Sequence, residues 1–247
     1  MEVHHHPHVE KKSFKEYLLE GLMIFLAVSM GFIAENIREH FVTKKHEKEY
    51  MVSLVRDLNN DITGITNSEV IVTGYINDAD SILSIFKNAD YKNTSSDIYY
   101  FGRVLGFRNL WRSNDGTIQQ LIYSGGLRLI ENKGVIDSIQ DYITNLKDLT
   151  QILSLEDAEI SEYRKAMSKV FSGFTLNDMI DIKARNAMTR LNYNPDLHST
   201  AKNDINDLAV QIVIVKTNRI RQLRIMKDLK TEAASIIKLI NKEYDLE

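Results

Sequence analysis

Cysteine is absent from the 247 residues, which removes disulfides, iron–sulfur clusters, thiolate zinc sites and thiol nucleophiles together. Only 2 Pro and 11 Gly interrupt the chain. So few breakers, in a background of Leu, Ile, Lys, Glu, Asp and Asn, describe long helices rather than many short strands and turns. An excess of either charge is also lacking: 31 basic residues stand against 34 acidic ones, a net charge of -3 at pH 7. That balance gives no footprint for a general nucleic-acid binder. Catalytic signatures are missing as well. No Ser-His-Asp grouping, H-E-x-x-H helix, phosphate-cradling glycine loop or paired carboxylate stands at a usable spacing, and no small-molecule substrate is evident.

What the chain does contain is one long apolar run. Residues 21–34 read GLMIFLAVSMGFIA without a charge. Those fourteen residues alone are short for a span, since about 20 are needed to cross roughly 30 Å of hydrocarbon. The flanks extend them: 18–37 gives twenty residues with one carboxylate near each end, Glu20 and Glu35, where a side chain reaches the interface or pairs with a neighbour. The run ends in Phe-Ile-Ala-Glu-Asn rather than a small-residue cleavage site and passes into helix-forming sequence, which argues against a removable signal. The expectation is a single transmembrane helix over 17–38, preceded by a tail at 1–16 and followed by an extramembrane body at 39–247.

Lys11, Lys12 and Lys15 precede the span, and Arg38, Lys44, Lys45 and Lys48 follow it, so basic residues hardly set the orientation. A short basic tail is retained while a long following domain translocates regardless of its charge, which places the N-terminus inside and the body outside.

At helical spacing Glu20, Ile24, Ala27, Gly31, Ala34 and Arg38 form one stripe, with Glu35 beside it. Leu22, Phe25, Leu26, Phe32 and Ile33 lie opposite. Ala27 and Gly31 make a small-xxx-small pair through which two helix backbones approach closely, so homo-oligomerisation through this stripe is expected. Two readings of the glutamates stay open: a ring of Glu20 and Glu35 lining a cation path, or two headgroup-level residues that end the span.

The chain opens MEVHHHPHVEKK, placing His4, His5, His6 and His8 within five residues. Neutral imidazoles favour zinc, copper and nickel, so a divalent transition metal at this tract is the alternative functional expectation. His40 and His46 are expected on a solvated helix face.

In the body, Met51, Val55, Leu58, Ile62, Ile65, Val72, Ile76, Ala79, Leu83 and Phe86 recur at steps of three and four. This predicts a helix continuing from the membrane for up to about seventy residues, with a break near Gly64 or Gly74. Ser95-Ser96-Asp97 and Ser113-Asn114-Asp115 read as starts of shorter helices, the second stopping at Gly125-Gly126. A long helix fits 135–170, with Ile139, Tyr142, Leu146, Leu149, Leu153, Ile160, Tyr163 and Met167 on one stripe and Ser172-Gly173 as its stop. Residues 175–200 are less regular, with a turn at Asn194-Pro195, and a final helix fits 203–244. The predicted fold is all-α: the N-terminal transmembrane helix runs into a long helix, and the body is an antiparallel bundle, with a membrane-proximal coiled coil between subunits as an equal packing. Lys216, Arg219, Arg221, Arg224, Lys227 and Lys230, set against only Asp228, form a basic band on the last helix. It either meets phosphate or anionic lipid, or is a solvated face or pairs with an acidic segment such as 155–159, which is the expectation taken here. Trp111, the one tryptophan, reads as a core anchor.

Two blocks carry a resemblance. Residues 3–40, VHHHPHVEKKSFKEYLLEGLMIFLAVSMGFIAENIREH, and residues 117–142, with Ser124, Gly125, Leu127, Leu129, Ile130, Asn132 and Lys133 in an S-G-x-L-x-L-I-x-N-K pattern, resemble a family of uncharacterised single-pass membrane proteins of Bacteroidetes-type bacteria. They cover about a quarter of the chain. The resemblance implies that the His tract is native and that the protein sits in the bacterial inner membrane, where the orientation argued above makes the body periplasmic. It implies no activity. The resulting expectation is a non-enzymatic, homo-oligomeric single-pass protein whose partners are the lipid bilayer and itself, with a helical scaffold role and a channel or conduit as the narrower possibility.

Overall fold

A computed structural model describes residues 13–184 and 187–246. The chain divides into two compact units, Met1–Tyr50 and Met51–Glu247, and the first helix, α1 (Phe14–Asn88), contributes to both. At its start the Glu16 carboxylate accepts from the Ser13 backbone N–H at 2.8 Å, one half of a capping box. Neither Gly64 nor Gly74 breaks it. Gly64 is instead a notch, because a Cβ there would stand 2.7 Å from the Trp111 indole nitrogen.

The second unit follows from where its apolar stripes must go. Residues 51–88 of α1 form the first leg. The chain then turns through Ala89 and Asp90 and returns as α2 (Tyr91–Leu105), an irregular stretch at 107–115, and α3 (Gly116–Tyr123). Gly125 takes a left-handed φ of 70°, a short 3-10 turn covers Gly126–Leu129, and the Asn132 side chain caps α4 (Lys133–Val170) by accepting from Val135 N–H. After α5 (Gly173–Asp178) and an irregular segment comes α6 (Lys202–Tyr244). Contacts such as Lys169–Asp207 and Asn145–Glu232 set α4 and α6 antiparallel, and Asp80–Lys216 with Glu69–Lys230 do the same for α1 and α6. The result is an all-α bundle of four legs with the second leg broken. No strand forms among the described residues; Ile180 and Met188 make a lone antiparallel bridge.

The core runs along α1, α4 and α6 and includes Leu54, Leu58, Ile65, Val72, Tyr142, Leu149, Tyr163, Ile212, Leu229 and Ile240. Four polar residues take positions where periodicity alone would put apolar ones: Asp61 on α1, Glu156 on α4, and Arg219 and Gln222 on α6, each at most 1% exposed. Val55, Ile62 and Ile76, expected in the α1 stripe, are only half-buried, because the stripe passes instead through Asp61 and Ser68.

Candidate functional site: an exposed apolar helix and a buried polar brace

The expected span lies wholly within α1. Every residue of its stripe, Glu20, Ile24, Ala27, Gly31, Ala34, Glu35 and Arg38, is exposed, and so are Leu22, Phe25, Leu26, Phe32 and Ile33 on the opposite side. None of the most apolar window of this helix is buried by the rest of the chain. The space around the small residues is open: a Cβ on Gly31 would meet nothing within 4 Å. At the far end of the run Glu35 accepts two hydrogen bonds from Arg38, at 3.0 Å from Nε and 2.5 Å from Nη2. An i,i+3 pair of this kind neutralises the carboxylate within its own helix. Farther along, His40 and His46 are exposed as expected, with His46 Nδ1 3.4 Å from a Glu49 oxygen.

His4, His5, His6 and His8 lie outside the described residues. Among the described residues no group of three or more His, Asp or Glu side chains converges as a metal site.

The basic band of α6 resolves into two sets. Lys216, Arg219 and Lys230 turn inward and meet Asp80, Glu156 and Glu69, so the expected acidic segment 155–159 does supply a partner through Glu156. Arg221, Arg224 and Lys227 face outward and are exposed.

Arg219 is the centre of a brace. Its Nε lies 3.4 Å from Glu156, its Nη2 donates to the carbonyls of Leu105 at 2.9 Å and Phe107 at 2.7 Å, and its guanidinium stacks 4.4 Å from the Tyr75 ring centroid. Tyr163 donates to Gly102 O at 2.5 Å and Arg164 to Gly106 O at 2.7 Å. These side chains satisfy the carbonyls that α2 leaves unpaired at its C-terminus, which is why the second leg can break inside a packed bundle. Burial pushes the Glu156 carboxyl above its ordinary range, a shift that Arg219 opposes, and burial lowers Arg219, which Glu156 opposes. Burial also raises the Tyr163 phenol.

A second polar centre was not anticipated. Asp61 accepts from Tyr142 OH at 2.7 Å, from Asn114 N–H at 2.7 Å and from Asn114 Nδ2 at 3.0 Å. One turn earlier, Asp57 accepts from the Thr117 N–H and hydroxyl at 3.1 and 2.6 Å. Asp115, the cap residue of α3, makes no capping bond with its side chain, so α1 caps α3 across the bundle. Burial, reinforced by Asp61, raises the Tyr142 phenol. The readable signal was an aspartate one helical step from Leu58 and Ile65. Trp111 is half-buried against Gly64, and its indole N–H reaches no acceptor among the described residues.

Fold and site together define an all-α protein with one helix long and apolar enough to cross a membrane. No protein-family model, curated protein or solved structure matches the chain.

Proposed function

We propose that the protein is a non-enzymatic membrane scaffold: α1 crosses the bilayer once, copies associate through the Ala27/Gly31 stripe, and the bundle is a platform held at the membrane surface. The observation that carries this is the all-round exposure of residues 14–42, apart from a half-buried Ser29. A core helix of a water-soluble protein would be buried; this one leaves Met23, Ile24, Phe25, Val28, Met30 and Phe32 each at least 65% exposed. Leaving such a surface in water costs about 25 cal/mol per Å², a cost a bilayer removes. The open space at Gly31 supports close approach by a second helix, since lipid-embedded helices associate through small residues. The resemblance of 3–40 supports the bacterial inner membrane as the location, and the short basic tail before the span supports a body on the periplasmic side. A channel or conduit is the narrower form of this proposal. The Glu35–Arg38 pair weighs against Glu35 as a free pore charge.

Light scattering on detergent-purified protein, corrected for bound detergent, tests the association. The expected result is a defined oligomer that A27L/G31L shifts to lower mass. A wild-type monomer, or an oligomer indifferent to both substitutions, overturns it.

A further inference from the structure

A groove opens at the end of the bundle where α1 stops and α6 starts. Asn88 ends α1, Ala89 adopts a left-handed φ of 54°, and α2 begins at Tyr91, so the chain reverses within two residues. A left-handed alanine is an unfavourable backbone state that packing must hold in place. Beside this corner lies a cavity of about 530 Å³ lined by Leu83, Phe86, Tyr91, Ile205 and Ala209. Phe86 and Ile205 are core residues, and Tyr91 packs edge-on against Phe86 with ring centroids 6.4 Å apart. On the rim stand Lys87 and Lys202, both exposed and neither in an ion pair with a described residue. None of the residues lining this cavity is acidic. The adjoining groove, which shares Ala89, Tyr91 and Thr200 with this cavity, contains Asp90 and Asp196. Apolar floor, unpaired ammonium groups and volume together match a small-ligand site with one orienting charge.

We infer that this groove binds a straight-chain fatty carboxylate, its chain lying on Leu83, Phe86, Tyr91 and Ile205 and its carboxylate between Lys87 and Lys202. Complementarity of charge selects this occupant: two lysines in an apolar lining that holds no acidic residue suit a ligand with an anionic head and an uncharged tail. The site belongs entirely to the Met51–Glu247 unit and does not depend on self-association through α1.

The test is photolabelling of the full chain in lipid nanodiscs with a dodecanoate bearing a chain-end diazirine, followed by peptide mapping. Labels are expected within 83–91 and 202–209. Unlabelled dodecanoate should displace them, and K87E/K202E should reduce them about tenfold, as expected for losing a charge-assisted contact. K238E, an exposed lysine outside the groove, should leave the labelling unchanged. The uncharged alcohol of the same length should label the groove far less. Labels confined to 17–38, reporting bilayer partitioning only, or equal groove labelling by the alcohol, would overturn the inference.

Discussion

Arg219 shows how one side chain decides whether a buried break is tolerated. It holds Glu156 and two carbonyls at once in a site that excludes water. Arg219→Met removes all three contacts while leaving Glu156 buried, and uncompensated buried charges cost about 3–5 kcal/mol. Denaturant unfolding of the purified chain should show that loss, and Glu156→Gln should also destabilise, because the amide keeps a hydrogen-bonding group but leaves the buried Arg219 charge without its counter-ion. The pH dependence has a definite sign. Since the folded carboxyl of Glu156 titrates above its ordinary range, the folded chain binds more protons than the unfolded one between the ordinary and the raised values. Its contribution to stability is therefore fullest below the ordinary carboxylate range and declines as pH rises through the raised value. Glu156→Gln should flatten that part of the stability–pH curve; an unchanged slope would assign it to other groups, such as Glu232, which burial also raises.

At the scale of elements, close approach is set by residues that periodicity does not weigh. α2 packs so tightly on the chain after α4 that a Cβ at Gly102 would lie 2.3 Å from the Phe171 ring, whereas a Cβ at Gly74 would meet nothing within 4 Å. Gly102→Ala should therefore destabilise the bundle by about 1–3 kcal/mol through overpacking. Gly74→Ala should stabilise it by about 0.5–1 kcal/mol, because an interior helical glycine has only its conformational freedom to lose. Thermal unfolding followed by circular dichroism separates the two signs. The polar contacts of Asp61 with Tyr142 and with Asn114, just before α3, give another expectation. Asp61→Ala leaves Tyr142 OH and the Asn114 amide groups without their acceptor, a loss of about 2–4 kcal/mol, and increased hydrogen exchange at 113–118 should accompany it.

For the molecule as a whole, the expected outcome is that it stays with the membrane fraction in alkaline carbonate and leaves only with detergent, since α1 carries an exposed stretch long and apolar enough to cross a bilayer. Release by carbonate would mean that the exposed apolar surface is covered by protein instead. The oligomer test with A27L/G31L belongs at this scale too. Symmetric copies joined along one stripe repeat the same contact, so a substitution at the stripe acts on every subunit interface.

The long helices were legible in the sequence because their signal is local. Apolar steps of three and four placed α4 at 135–170 and α6 at 203–244, against the observed Lys133–Val170 and Lys202–Tyr244, and breaker scarcity dictated an all-α chain. The exposed apolar run was legible for the same reason, since a charge-free stretch needs no partner to be recognised. Which polar residues enter the core was decided only by tertiary structure. The broken second leg leaves carbonyls and N–H groups that must be paired, so Arg219, Glu156, Asp61 and Asp57 turn inward, while Arg221, Arg224 and Lys227 of the same basic band turn out. Gly64 likewise reads as a helix breaker along the chain and becomes a seat for Trp111 once the second leg folds back. A residue's partner across the bundle lies as few as 38 and as many as 161 positions away, and no periodicity along one helix carries that information.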